Sequence, residues 1–140
     1  MALNTQLTSL PGLDIPVFNY SGSTTIAAGT AVSVDSTNVI STSGVNEGIG
    51  VIPIAAVGNA VIGVAMESIG PGAYGRVRVA GQVQMTADGA ITAGGVVDGS
   101  NTTGKTAKAH AAGKFQVGVA LSTAADGEQV LVLLCLANNA

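Results

Sequence analysis

Residues 61–83 constrain this chain more than any other stretch. Two short apolar runs, Val61 to Met66 and Arg76 to Val83, flank Gly70, Pro71, Gly72 and Gly75, the pattern of strand, turn and strand. In the second run Val77, Val79 and Gly81 point one way and Arg76, Arg78 and Ala80 the other, a period of two that places one face on a core and the other outward. The same pattern continues elsewhere: Ala31 to Val34, Asn38 to Ser41 and Gly48 to Ala56 read as strands, with Pro53 marking an edge or a bulge. Val96 and Val97 give a stub of strand. No segment carries a sustained helical stripe, although Thr106 to Ala112 could make two helical turns before Gly113. The expected class is all-β, a small antiparallel barrel or sandwich.

The chain also echoes itself. Ile26, Ala28, Gly29 and Val32 recur 65 residues later as Ile91, Ala93, Gly94 and Val97. Gly63, Val64, Ala65 and Met66 recur 55 residues later as Gly118, Val119, Ala120 and Leu121, followed by Gly72 against Gly127, Val77 against Val132 and Val79 against Leu134. Two copies are too few for a solenoid, so the expectation is one barrel with two pseudo-repeated halves. The last strand, from Gln129 to Ala137, is apolar on both faces: Val130, Val132, Leu134 and Leu136 on one, Leu131, Leu133, Cys135 and Ala137 on the other. It is expected to be buried on both sides, as a central strand or in a subunit interface.

Composition narrows the function classes. At 140 residues the chain suffices for one core, and 47% of it is hydrophobic while only 9% is charged. Soluble domains usually carry about 25% charged residues. An under-charged surface is expected to be covered by neighbours, as in a homo-oligomer or a larger assembly. A net charge of −3 with five Lys and Arg argues against nucleic acid as a partner. No run approaches the length of a membrane span, and no membrane partner is expected. A single cysteine, Cys135, is read as a core residue.

Residues 1–22 are expected to form an extended N-terminal arm, with residues 23–140 as a single barrel domain. Pro11 and Pro16 keep the segment out of the middle of a sheet, so it lies along an edge or reaches a partner. Gly99 to Thr106, GSNTTGKT, fits the phosphate-cradling pattern G-x-x-x-x-G-K-[ST] letter for letter. That loop needs a buried parallel strand before it and a helix after it, and this sequence offers only the stub at Val96 and Val97 and a would-be helix that meets Gly113 within two turns. Lys105, Lys108, His110 and Lys114 cluster in the same region, either as a docking patch for an acidic partner or as a solvated excursion. His110 has no companion ligand nearby in sequence, and Glu67 is the carboxylate to examine in a cleft. No catalytic residue, metal ligand or cofactor site is assigned, and the chain is not expected to be an enzyme.

The turn Ile26-Ala27-Ala28-Gly29-Thr30, the strands Ile62 to Ser68 and Gly75 to Gly81, and the run Gly118 to Leu121 closing on Val130 to Leu134 resemble the capsid decoration, or cement, proteins of tailed bacteriophages. The resemblance spans about Thr25 to Leu136. It implies a compact barrel of the β-tulip or β-clip type, homotrimeric, bound to the major capsid protein on the outer surface of a mature capsid. The implied role is stabilisation of the shell where capsomers meet, after synthesis in the cytoplasm of the bacterial host. With it comes the expectation that Leu3, Leu7, Leu10, Leu13, Ile15, Val17, Phe18 and Tyr20 carry attachment to the capsid or to a neighbouring subunit. A fibre or adhesin module on a virion or cell surface is the alternative, and a nucleotide-binding protein using Gly99 to Thr106 a more distant one.

Overall fold

The computed structural model describes residues 11–37 and 49–138. Among them are nine strands and no helix: β1 (Gly12–Phe18), β2 (Ala31–Val34), β3 (Ile49–Pro53), β4 (Gly63–Ala65), β5 (Tyr74–Thr86), β6 (Val96–Gly99), β7 (Ala107–Ala109), β8 (Phe115–Ala120) and β9 (Gln129–Asn138). The chain is all-β, in one sheet ordered β1-β3-β2-β4-β5-β9-β8-β6-β7, with a further pairing of β1 on β5. The expected strand over Asn38 to Ser41 lies outside the described residues.

β5 is the hub. It pairs antiparallel with β1 along Tyr74 to Gly81, with β4 at Val77 and Arg78, and with β9 along Gly81 to Thr86. Pairing therefore runs in a cycle from β1 through β3, β2 and β4 to β5 and back to β1. Beyond Gly81 a second course runs from β5 through β9, β8 and β6 to β7, and a parallel bridge from Ala87 to Ala107 returns it to the end of β5. Gly81 is where β5 passes from one course to the other. Its φ of 101° is open to glycine and strained for other residues. A Cβ there would also run into the Gly12 backbone and the Pro11 carbonyl.

Hydrogen bonds in the two courses match at the offsets of the sequence echo. Ile26 and Ile69 exchange a pair of backbone bonds at 2.9 and 2.8 Å, as do Ile91 and Ala124 at 2.9 Å. Gly29 N–H donates to the Ala65 carbonyl, and Gly94 N–H to that of Ala120. Val64 sits opposite Arg78, and Val119 opposite Leu133.

Valine, alanine and isoleucine fill the interior in two clusters. Val17, Ile26, Val32, Val51, Ala65, Ile69 and Val77 form one. The other gathers Met85, Ile91, Val97, Val117, Val130 and Val132 with Ile54 and Val64 from the first half. Small β-branched side chains suit such narrow interiors, where stiff χ1 angles cost little once a strand is formed.

The expectations for Thr106 to Ala112, Cys135 and the last strand are corrected. Ala107–Ala109 is a strand rather than helix, because its backbone pairs with Val97 to Gly99 and tertiary pairing overrides the propensity of alanine. Cys135 is exposed rather than in the core. The last strand is central, between β5 and β8, but only its Val130, Val132 and Leu134 face is buried; Leu133 on the opposite face is 42% exposed. Residues Gly12–Phe18, read as part of an arm, lie along β5 as the first strand of the sheet. Pro16 is accommodated opposite Arg76, and Pro53 closes the end of β3.

Candidate partner-binding surface

β1 is held on β5 by an ion pair that the sequence hides. Asp14 and Arg78 are 64 residues apart, yet Arg78 Nε donates to Asp14 Oδ1 at 2.7 Å and Nη2 to Oδ2 at 3.2 Å. Nη1 donates to the Gln82 carbonyl at 3.0 Å. Arg78 points away from the core as the alternation requires, but β1 covers it and leaves it 6% exposed. Gly12 makes room for this, since a Cβ there would lie 2.5 Å from Arg78 Cδ. The hydrogen bond from Arg78 holds the Asp14 carboxyl below its ordinary value of 3.8, burial opposes it, and the charges of Arg78 and Arg76 reinforce it.

Of the eight residues expected to carry attachment, Leu3, Leu7 and Leu10 lie outside the described residues. Val17 is fully buried in the chain's own core, and Ile15 packs beside it. Leu13 stands 61% exposed on the outer face. Phe18 and Tyr20 form an aromatic knot with Tyr74: Phe18 meets Tyr20 edge-on at a centroid distance of 4.5 Å and Tyr74 at 4.8 Å. Tyr74 was not singled out by its sequence neighbourhood, and it is 59% exposed. The available signal was scarcity: the chain holds two Tyr and two Phe, and three of these four rings meet at one end of β1 and β5. Exposed, rigid aromatic clusters are the kind of surface that anchors protein partners.

The loop from Ser100 to Thr106 connects two antiparallel strands, β6 and β7, and no helix follows it. Three of its amides bond within the fold: Ser100 N–H to the Thr106 carbonyl, Lys105 N–H to that of Thr102, and Thr106 N–H to that of Thr86. Ser100 and Thr102 hydroxyls donate to Asp88 at 2.7 and 2.9 Å, and Lys105 Nζ donates to Asp126 at 2.7 Å. A phosphate would find no helix terminus here. The basic cluster is largely neutralised in the same way. Lys108 approaches Asp88 at 3.5 Å, and His110 Nδ1 meets the fully buried Asp98 at 2.6 Å. Glu67 likewise turns onto its own strand pair, accepting from the Arg76 N–H at 3.0 Å.

Two clefts remain. One of about 360 Å³ is lined by Met66, Arg76, Arg78 and Gln84. The other, of about 490 Å³, is lined by threonines of the 24–30 and 102–106 segments. Among the described residues no group of three or more His, Cys, Asp or Glu could hold a metal ion. No helix among them is long and apolar enough to cross a membrane.

The carboxylates give an acid-stability prediction. Asp14 and Asp88 are both held below 3.8, Asp88 chiefly by the Ser100 and Thr102 hydroxyls. A carboxyl depressed in the folded state adds stability above its unfolded pKa and loses it as pH falls toward the folded value. The melting temperature is thus expected to stay level from about pH 7 to 5 and to fall below about pH 4, with the fall shallower in Asp14→Asn. Thermal melts across that range check it.

The family model for phage cement proteins matches residues 52–136, from β3 through β9. The chain belongs to the phage cement protein family. It is accordingly a structural protein of the phage virion. The fold is also similar to a solved structure described as the head fiber gp8.5 N base in bacteriophage phi29, with a TM-score of 0.61. That match has 17% identity over 88% of this chain and 95% of the other. No curated protein matches the sequence.

Proposed function

We propose that this cement protein binds the outer surface of a mature phage capsid, contacts the major capsid protein, and stabilises the shell where capsomers meet. The match of the family model to residues 52–136 carries the reading. The surface supports it: an aromatic knot whose Tyr74 is exposed, an outward Leu13, and a chain with 9% charged residues. The segment from Leu3 to Tyr20 makes the attachment in this account, with Tyr74 beside it. The protein acts as a homotrimer made in the host cytoplasm, which lets modest contacts sum because one seated subunit holds the others at high effective concentration. The fold in this account is one small antiparallel β-barrel with two pseudo-repeated halves, and the matched hydrogen bonds at offsets of 65 and 55 favour the repeat.

A fibre role is the second reading, favoured by the similarity of the fold to a head fiber base. Heating shells with and without the protein separates the two. A cement protein raises the temperature at which expanded shells rupture and release DNA, whereas a fibre base binds without moving it.

A further inference from the structure

The two halves provide an internal control for what the outer face of this sheet requires. Positions 55 residues apart occupy matching places, Val64 opposite Arg78 and Val119 opposite Leu133. By the same offset Arg76 corresponds to Leu131 and Ala80 to Cys135. In the first half these outward positions carry Arg76, which is exposed, and Arg78, which is paired with Asp14. In the second half they carry Leu131 and Leu133. The backbone geometry therefore accommodates a cation at these places, and leucine there answers to something other than the chain's own packing.

The apolar character extends beyond two residues. Leu133 is flanked by Val119 across the β8 pairing and by Gln82 across the β5 pairing. Leu121, just past the end of β8, donates its N–H to the Leu131 carbonyl and is 43% exposed, and Cys135 is exposed on β9. Leu13 continues the face over β1, opposite Ala80. Residues 79–86, 115–125 and 129–137 contain no Asp, Glu, Lys, Arg or His.

We infer that the outer face of β8 and β9, centred on Leu133 with Leu121, Leu131 and Cys135, is covered by a second copy of this chain. Charge is the first reason. An uncharged face is complementary to itself, with no like-charge repulsion when identical copies meet, whereas a partner of opposite charge would have nothing to grip. Timing is the second. An apolar sheet face on a chain of net charge −3 must be covered from synthesis onward, when other copies are at hand and no mature shell is. β9 is flanked on both edges by β5 and β8, so the contact is side chain on side chain rather than strand addition. The inference rests on the self-association proposed above and names its surface.

The test is made on the full chain without any capsid. Sedimentation equilibrium gives the mass, and maleimide labelling of Cys135 reports whether this face is covered. The wild type is expected to run as an oligomer of the 13.6 kDa chain, with Cys135 protected until the protein is unfolded. Leu133→Arg, which installs the residue type found at the matching place in the first half, is expected to fall to the monomer mass with loss of that protection. Leu133→Gln is the second variant, and circular dichroism verifies that each remains β-folded. A monomeric wild type overturns the inference together with the self-association. An oligomer in which Cys135 labels freely, or whose mass survives both folded variants, overturns the face alone. Protection of Cys135 appearing only when shells are added assigns the face to the capsid and overturns it as well. Capsid binding itself is read separately, so its failure leaves these outcomes unchanged.

Discussion

Gly81→Val is expected to lower the melting temperature by about 10 °C, because roughly 3 kcal/mol is lost at one position and each kcal/mol is worth about 3 °C in a chain of this length. Two costs combine there. A φ of 101° is strained for any side chain, and the new Cβ strikes the Gly12 backbone and the Pro11 carbonyl, where nothing flexible can yield. The strand that must move is β1. Limited proteolysis near residues 11–14 should therefore accelerate far more than cleavage between β8 and β9. An unchanged melting temperature would mean that β1 does not lie against Gly81 as described. Gly72→Ala is the control: it too has a positive φ, but a Cβ there meets nothing within 4 Å, so its loss should be the smaller.

Asp14→Ala is the second large effect, expected at about 3 kcal/mol from the range for breaking a buried ion pair. Arg78 is 6% exposed, and Asp14→Ala removes the carboxylate that accepts two hydrogen bonds from its covered guanidinium. The penalty comes from a covered guanidinium that loses its Asp14 carboxylate more than from the attraction itself. Arg78→Met on its own is therefore expected to cost less, and the double variant Asp14→Ala with Arg78→Met to recover part of the single loss. Urea unfolding of the four proteins gives the coupling directly. Equal and additive losses would show that the pair does not act as a unit. Arg76→Ala should do little by comparison, since its side chain is 60% exposed and its contact to Asp14 is 3.8 Å.

These two sites show what the sequence could and could not disclose. Alternation through Arg76 to Val83 identified β5 and its core-facing Val77, and the Gly-Val-Ala runs identified β4 and β8, because a period of two is local information. That Arg78 would be covered was not local. Its cover comes from Gly12 and Asp14, more than sixty residues upstream, and alternation alone predicts a solvated arginine. The aromatic knot escaped for the same reason, Phe18 and Tyr74 being brought together only by the β1 and β5 register. Thr106 to Ala112 failed differently: alanine favours helix, but Ala107–Ala109 finds its hydrogen bonds on β6 and the weaker local preference yields. β9 was legible as apolar on both faces, and it is central in its sheet while its Leu133 face stands open in a single chain. The phosphate-loop pattern matched in letters only, because a pattern carries no record of whether a helix or an antiparallel strand follows it.

The central claim is attachment to a mature shell, and it is tested most directly by co-sedimenting the purified protein with expanded, undecorated phage capsids and with unexpanded shells. Densitometry gives the copies bound per shell at each input. The account predicts saturable binding to expanded shells at a fixed multiple of the capsomer number, absent from unexpanded ones. Failure to sediment with either form, or equal and unsaturable binding to both, would contradict it.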